Sequence, residues 1–428
     1  MSHRLSRRGL LQASGVMAGA AAFGALRVER ARAATELRMA WWGSDERHQR
    51  TLQALELFSQ QNPEITVSSE VGTFDSHFDK LAVQTAGGNA PDVFQMSGQL
   101  INEYAARGTL LDLNQFIPTG IDTSAWDSSV TSHGLINGSM AGLPIGLDAY
   151  TICYDAAKMA EFGLEMPGAD VTWEAFAAFA TQVAQTVGNG YFGVADAGGR
   201  YEPLETLVRQ RGKTFFSADG VGLGFEQQDL VDYWTYWNDL RMSGAATSAE
   251  VQAAATSEEL GALVQGTAAM YFTTSSQFVN LQGLTEQELG LHTLPVGPGG
   301  ETGSFVRPGL FISAYANTRY PQESALLINF LLNNPESAAI LLTARGVPPA
   351  PAIREQIQSL VTPEEQKTFG FIDQITTAST QSNILTPAGG LEVTDLLMRS
   401  YQAIAFEQTS IDEAADDFFA QAPSLLGA

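Results

Sequence analysis

Beyond residue 33 the chain alternates short apolar runs with longer segments whose apolar positions recur every three or four residues. Leu37 to Trp42 predicts a strand, and Ser44 stands where it can cap a helix with Leu52, Leu55 and Phe58 on one face, ended by Asn62 and Pro63. Ile65 to Val71 predicts a second strand. A helix from about Phe74 to Gly87 and Gly88 follows, and Asp92 to Met96 predicts a third strand. A βαβαβ series of this kind predicts a mostly parallel sheet with right-handed crossovers. The carboxyl ends of its strands, here Trp41 to Asp45 and Gln95 to Gln99, are where such sheets place ligands.

The second half is richer in helix. Thr172 can cap a helix carrying Phe176, Phe179 and Val183, and Leu230, Trp234 and Trp237, with Leu240 or Arg241, share one face of another, so both tryptophans are expected in core. Ala268 to Phe272 predicts a strand, and Leu291 to Gly300 a strand running into a Gly/Pro loop. Asn334 and Pro335 start a further helix, which Gly346, Pro348 and Pro349 stop. Nearly 400 residues exceed one core and imply two domains. No internal repeat, low-complexity tract or mid-chain linker separates them, so the chain is expected to cross between lobes more than once.

The first residues change the picture of where the protein works. Arg4, Arg7 and Arg8 precede an uncharged stretch from Gly9 to Leu26 and then Ala31, Arg32 and Ala33, the pattern of a removable export signal over residues 1–33. Ser6 to Leu11 resembles the twin-arginine variant. An N-terminal membrane anchor is the competing reading, and the stretch is short and rich in Ala and Gly for a stable span. The sole cysteine, Cys153, lies in an apolar run where a buried, inert thiol is expected. The mature chain is therefore expected to begin near Ala34 as a soluble periplasmic protein without a lipid anchor. The whole chain holds 23 basic and 47 acidic residues; without the six arginines and one glutamate of residues 1–33 it carries 17 and 46, a net charge of −29. Such a surface argues against nucleic acid or anionic lipid as partner.

Chemistry is not signalled. The chain lacks His-Glu-x-x-His, Cys-x-x-Cys and Gly-x-Ser-x-Gly, and His48, His77, His133 and His292 show no ligand spacing. The glycines at 220, 222 and 224 lack the strand–helix context of a nucleotide loop. No catalytic residue, metal or cofactor is expected.

The segment from Gly142 to Asp155, followed by Lys158, Phe162 to Leu164, Pro167 and Thr172 to Glu174, resembles the hinge and start of the second lobe in the extracellular solute-binding proteins of family 1, the maltose-binding-protein-like sugar receptors of ABC importers. Ala90 to Val93, Gly266 to Met270, Leu294 to Gly297 and Ala344 to Pro349 match the family pattern in the same order. The resemblance implies an α/β, two-lobe periplasmic-binding-protein fold with discontinuous lobes joined by a hinge. Residues 34–147 and 311–347 would form lobe one, and 148–310 and 348–428 lobe two. It implies a monomer that captures a carbohydrate between the lobes and delivers it to a transmembrane permease. A binder of a polyol, anionic glycoside or phosphate ester, and a secreted carbohydrate-active enzyme with a pair of carboxylates, are the alternatives.

A pyranose presents an apolar face that stacks on aromatics and a rim of hydroxyls that need polar partners. Trp42, Ser44 and Asp45 offer both at one strand end, alternation sending either Trp41 or Trp42 to the core. Gln95, Ser97 and Gln99 offer hydroxyl partners at the next, although Ser97 could equally cap a helix. Asp148 occupies the family's ligand-contacting hinge position, with Tyr150 beside it. Glu202, Thr274 and Ser275 are the candidates from the second lobe, the last two standing where relatives often place a stacking tryptophan. Arg307 and Arg345 either face the cleft, where a guanidinium can grip two hydroxyls or an acid, or pair with some of the many acidic residues.

Overall fold

The computed structural model describes residues 35–378 and 386–427, so the expected export signal lies outside the described residues. β1 (Thr35–Trp42) runs parallel to β2 (Ile65–Gly72) and to β3 (Val93–Ser97), with the helices Asp45–Gln61 and Phe74–Ala86 as crossovers. Ser44 and Thr73 cap these helices by accepting from the backbone N–H of Arg47 and Ser76. Leu55 and Phe58 enter the core as expected, but Leu52 stays 39% exposed because Thr51 and Ala54 take the inward face of that turn.

After a small hairpin of β4 (Leu135–Ile136) and β5 (Ser139–Met140), the 13-residue β6 (Leu143–Asp155) carries the chain from one half of the molecule to the other. β7 (Phe192–Val194), β8 (Ala268–Thr274) and β9 (Leu289–His292) belong to the second half, and β10 (Val306–Ala314) brings the chain back. The strand order is β2-β1-β3-β10-β6-β8-β7, with β9 also paired to β6. The first part of β6 pairs antiparallel with β10, and the part from Tyr150 onward with β8 and β9. β6 and β10 are thus shared between lobes.

Two main cores flank this shared pair. One gathers Leu37, Met39, Trp41, Phe58, Ile312 and Ile328, the other Ile152, Phe176, Trp234, Trp237, Phe272 and Phe418. The expected division of the chain needs one correction. Residues after 347 were assigned to lobe two, yet Ile353, Ile357, Phe369, Ile372 and Ile375 pack in the first core, and only from about Gly390 does the chain join the second, through Val393, Leu397 and Tyr401. Pro348 and Pro349 mark no boundary, and the helix they were expected to stop, Pro335–Leu341, already ends at Leu342, whose φ of 46° leaves the helical region. The Pro348 and Pro349 carbonyls accept from the Arg354 Nη1 at 2.7 and 3.1 Å, which folds the following helix, Pro351–Ile357, back onto the same lobe.

Cys153 is fully buried, and burial pushes its thiol up to about 12, the inert state expected of it.

Candidate ligand-binding cleft

The crossing strands carry an irregularity that shapes the cleft. The β6–β10 register slips at Gly309, between Pro308 opposite Leu147 and Leu310 opposite Gly146. The bulge turns Arg307 to Leu310 along the wall of a cavity of about 360 Å³. From lobe one the cavity receives Trp42 at the end of β1, Phe74 after β2, and Ser97, Gly98 and Gln99 after β3. Tyr201, Glu202, Leu391 and Thr394 line it from lobe two. Gly98 fits against the bulge because it lacks a Cβ, which would sit 3.0 Å from the Pro308 carbonyl oxygen.

Alternation along β1 resolves the tryptophan pair. Trp41 is fully buried and donates its Nε1–H to His48 Nδ1 at 3.1 Å, while Trp42 reaches the cavity. Behind Trp42, ring centroids of Phe74, His77 and Phe78 lie 5.3, 5.1 and 5.2 Å away, so the indole is held in one orientation.

Among the described residues that line the cleft, Arg307 is the cation. Its Nη1 donates to the Tyr150 hydroxyl at 2.7 Å, and that hydroxyl donates to Glu205 Oε2 at 2.8 Å. Glu205 in turn pairs with Arg209 at 3.0 Å, both side chains almost completely buried. Among the described residues no carboxylate lies within salt-bridge distance of Arg307, although Asp148 is its cross-strand partner. Burial opposes its charge, and the fields of Tyr150, Asp148 and Glu202 more than restore it, so Arg307 stays a cation. Glu202 lies 3.4 Å from Arg200; burial works against its ionisation, and Arg200, with Arg307 beyond, holds its carboxyl below the usual value.

The structure therefore brings Trp42, Ser97, Gln99, Glu202 and Arg307 together in one cavity. The other candidates lie elsewhere. Asp148 is buried with both oxygens filled: Oδ1 accepts from Ala149 N, Ser275 Oγ and Ser276 N, each at 2.9 Å, and Oδ2 from Ser276 Oγ at 3.0 Å. Ser275 is thereby spent on Asp148, and Thr274 Oγ1 meets Ser276 Oγ at 3.0 Å. Tyr150 is buried and supports Arg307 from behind. Ser44 borders a separate cavity of about 230 Å³ with Arg47, Ser275 and Ser276, and Asp45 is an exposed first-turn residue. Gln95 is fully buried, its Oε1 accepting from Arg345 Nε at 3.3 Å, and Arg345 also donates to Thr51 Oγ1 at 2.7 Å. Arg345 therefore sits inside lobe one, with its guanidinium pushed down to about 9 by burial and then by Arg47.

Phe74, Tyr201, Leu391 and Thr394 line the cavity without having been chosen from the sequence. The carboxyl end of β2 carried a usable signal for Phe74, since the rule that pointed to the ends of β1 and β3 applies there too. The helix Gly390–Ala405 had none, because its place over the cleft depends on the last crossing between lobes.

Burial also sets a pH response beneath the site. His77, which donates from Nε2 to the Gln95 carbonyl at 3.0 Å, is held near 4 by desolvation, as is His133. The folded value lies below the unfolded one, so this stability is complete above pH 6.5 and is lost as pH falls toward about 4. Asp196, raised by burial to about 6, works in the opposite sense: its contribution is present below its unfolded value and lost as pH rises to about 6. Comparing His77→Gln with the wild type isolates the histidine. Their stability difference in urea unfolding is expected to change by about 3 kcal/mol between pH 7 and pH 4, in the variant's favour at the acid end. A constant difference would mean that His77 takes up its proton as readily in the folded protein as in the unfolded chain.

Comparison with known proteins agrees with this architecture. The family described as bacterial extracellular solute-binding protein matches residues 53–381. An extracellular solute-binding protein of family 1 from Alicyclobacillus acidocaldarius is 30% identical, with 92% of this chain and 99% of that chain covered and a TM-score of 0.80. A periplasmic oligogalacturonide-binding protein from Yersinia enterocolitica is 25% identical over the same shares, with a TM-score of 0.79. A lipoprotein of Streptomyces antibioticus, described as uncharacterized and encoded in the oleD 5′ region, is 25% identical over 287 residues, which are 63% of this chain and 60% of that relative's length. With its two cores joined by shared strands around a cleft lined from both sides, the chain belongs to the bacterial extracellular solute-binding proteins.

Proposed function

We propose that the protein captures a carbohydrate in the cavity between its lobes and delivers it to the transmembrane permease of an ABC importer. One observation carries this reading. A single cavity at the ends of β1, β2 and β3 combines a fixed aromatic wall, Trp42 with Phe74 and Tyr201, and the polar groups of Gln99, Glu202, Arg307 and Thr394, drawn from both lobes. The aromatic faces suit the C–H face of a sugar ring, and the polar groups suit its hydroxyls. Ligand contacts made by both lobes at once favour a closed arrangement that a permease can recognise. Binding without turnover is the expected behaviour, as a monomer exported to the periplasm by the twin-arginine route. Among the described residues no helix is long and apolar enough to cross a membrane. The buried thiol of Cys153 offers no site for a lipid.

Arg307 favours a second form of this reading, a sugar with an acidic group. A cleft cation without a carboxylate partner suits a uronate, and the relative from Yersinia enterocolitica is an oligogalacturonide-binding protein. Thermal unfolding of residues 34–428 against neutral sugars, oligosaccharides, polyols and anionic glycosides tests both forms. Ligand at 100 times its Kd is expected to stabilise by about 2.7 kcal/mol. A shift confined to acidic sugars selects the uronate, and a shift with neutral sugars excludes it. Hydrolysis of any member, or no shift with all of them, would overturn the binding reading.

A further inference from the structure

Behind Arg307 runs a buried chain of groups that does not line the cleft. Arg307 gives an Nη1 proton to the Tyr150 hydroxyl, and Tyr150 gives its own proton to Glu205 Oε2. The other oxygen, Glu205 Oε1, accepts from Arg209 Nε at 3.2 Å and from Arg209 Nη2 at 3.0 Å. Glu205 and Arg209 are each 2% exposed. They stand four residues apart on the helix Tyr201–Gln210, whose first turn supplies Tyr201 and Glu202 to the cleft wall. The Arg209 guanidinium lies 3.8 Å from the centre of the Phe305 ring, and Phe305 meets Tyr150 edge to face with 5.6 Å between ring centroids. Phe305 leads into β10 two residues before Arg307, so one ring braces Arg209 and Tyr150 together.

The hydrogen-bonding capacities of these groups give the chain a direction. A guanidinium only donates, a carboxylate only accepts, and a phenol has one proton to give. With Glu205 on one side and Arg307 on the other, Tyr150 must point its proton at Glu205 and a lone pair at Arg307. Burial, and Glu205 after it, hold that proton on Tyr150 against the pull of Arg307. Among the described residues the bond to Tyr150 is the only hydrogen bond that Arg307 gives, so its remaining N–H groups are left for whatever enters the cavity it lines.

We infer that Glu205 is the positioning residue of the cleft: clamped by Arg209, it sets the direction of the Tyr150 hydroxyl and thereby which donors Arg307 presents to a ligand. The inference rests on the proposed function, in which Arg307 meets the ligand. Glu205→Gln separates positioning from the filling of space. The amide has nearly the shape of the carboxylate, but Arg209 can only donate and so claims its oxygen, which leaves the amide N–H groups toward Tyr150. Tyr150 must then turn its own proton to Arg307, donor against donor.

Calorimetric titration of the mature protein with digalacturonic acid as the acidic probe and maltose as the neutral one tests it. For whichever sugar binds the wild type, Kd is expected to rise about tenfold or more in Glu205→Gln and in Tyr150→Phe, the size of one lost hydrogen bond to a charged group. In an Arg307→Ala background the same two changes should leave Kd within about twofold, because nothing remains for them to position. Removing Arg209 as well frees the amide to turn its oxygen back to Tyr150, so Glu205→Gln with Arg209→Met should bind within about threefold of wild type. That pair also takes away the buried charge that Glu205→Gln alone leaves unpaired, and together with Tyr150→Phe it decides the matter where the single variant does not fold. Full affinity in Tyr150→Phe or Glu205→Gln, losses that persist undiminished without Arg307, or a Glu205→Gln, Arg209→Met protein that binds no better than Arg307→Ala would overturn the inference and leave the cleft reading standing. Binding of neither sugar, or a Kd unchanged in Arg307→Ala, would overturn the cleft reading at Arg307 and this inference with it.

Discussion

Asp148→Ala is expected to lower the stability of the unliganded protein by about 3–5 kcal/mol in equilibrium urea unfolding, with Asp148→Asn costing about 1–2 kcal/mol. The carboxylate sits where β6 passes from one lobe to the other. It collects the backbone N–H groups of Ala149 and Ser276 and the hydroxyls of Ser275 and Ser276, all within 3.0 Å. Alanine takes the acceptor from the buried Ser275 hydroxyl and from the part-buried Ser276 N–H and hydroxyl at the point where β6 is joined to the turn after β8, while the Ala149 N–H keeps Ser275 Oγ at 3.1 Å. Charge-assisted hydrogen bonds are about twice as strong as neutral ones, and each buried donor left alone costs about 1–3 kcal/mol. Asparagine keeps the Oδ1 position, and its amide can donate to the Ser276 hydroxyl, so most of the arrangement survives. Ligand affinity of the folded Asp148→Asn protein is expected to stay within about threefold of wild type, since a change of that size is under 1 kcal/mol. An alanine variant as stable as wild type but unable to bind ligand would reverse the assignment and return Asp148 to the cleft.

The resemblance placed Asp148 among the ligand contacts, and its displacement shows what a motif leaves open. The motif locates a residue on the crossing strand. Which way the side chain is satisfied depends on Ser275 and Ser276, more than 120 positions later. Both hydroxyls donate to Asp148. Arg345 went the same way: its neighbours in sequence pointed to the cleft, while Gln95 and Thr51 hold it inside lobe one.

Local patterns served the fold better. Periodicity and capping residues located β1 to β3 and the helices between them, because those signals are properties of neighbouring residues. Alternation separated Trp41 from Trp42 for the same reason, and helical spacing placed Trp234 and Trp237 in the second core. The lobe boundary after Val347 was misplaced because a proline pair signals a local break and says nothing of where the chain goes next. Where it does go is decided by the burial of Ile353, Ile357 and Ile372 against strands from the other end of the sequence. The same long-range dependence hid Leu391 and Thr394 from the site.

Arg307→Ala is expected to weaken ligand binding by about 3–4 kcal/mol, a loss of several hundred-fold in Kd, because among the described residues the guanidinium is the one cleft cation free to give paired, charge-assisted hydrogen bonds to a sugar. Arg200, the nearest alternative, already shares its charge with Glu202 and its hydrogen bond with Tyr271. The fold should tolerate the loss. Without Arg307 the Tyr150 hydroxyl still donates to Glu205, and Glu205 still pairs with Arg209, so no buried donor is stranded and unfolding in urea should shift by about 1 kcal/mol or less. Arg307→Lys keeps the charge and loses the planar fork, so it should recover part of the affinity for an acidic ligand and little of it for a neutral one. Titration of all three proteins with the sugar that stabilises the wild type most strongly separates these outcomes. A Kd unchanged in Arg307→Ala would move the ligand away from the bulge in β10, and equal recovery by lysine for neutral and acidic sugars would mean that the side chain supplies a field and no directed bonds.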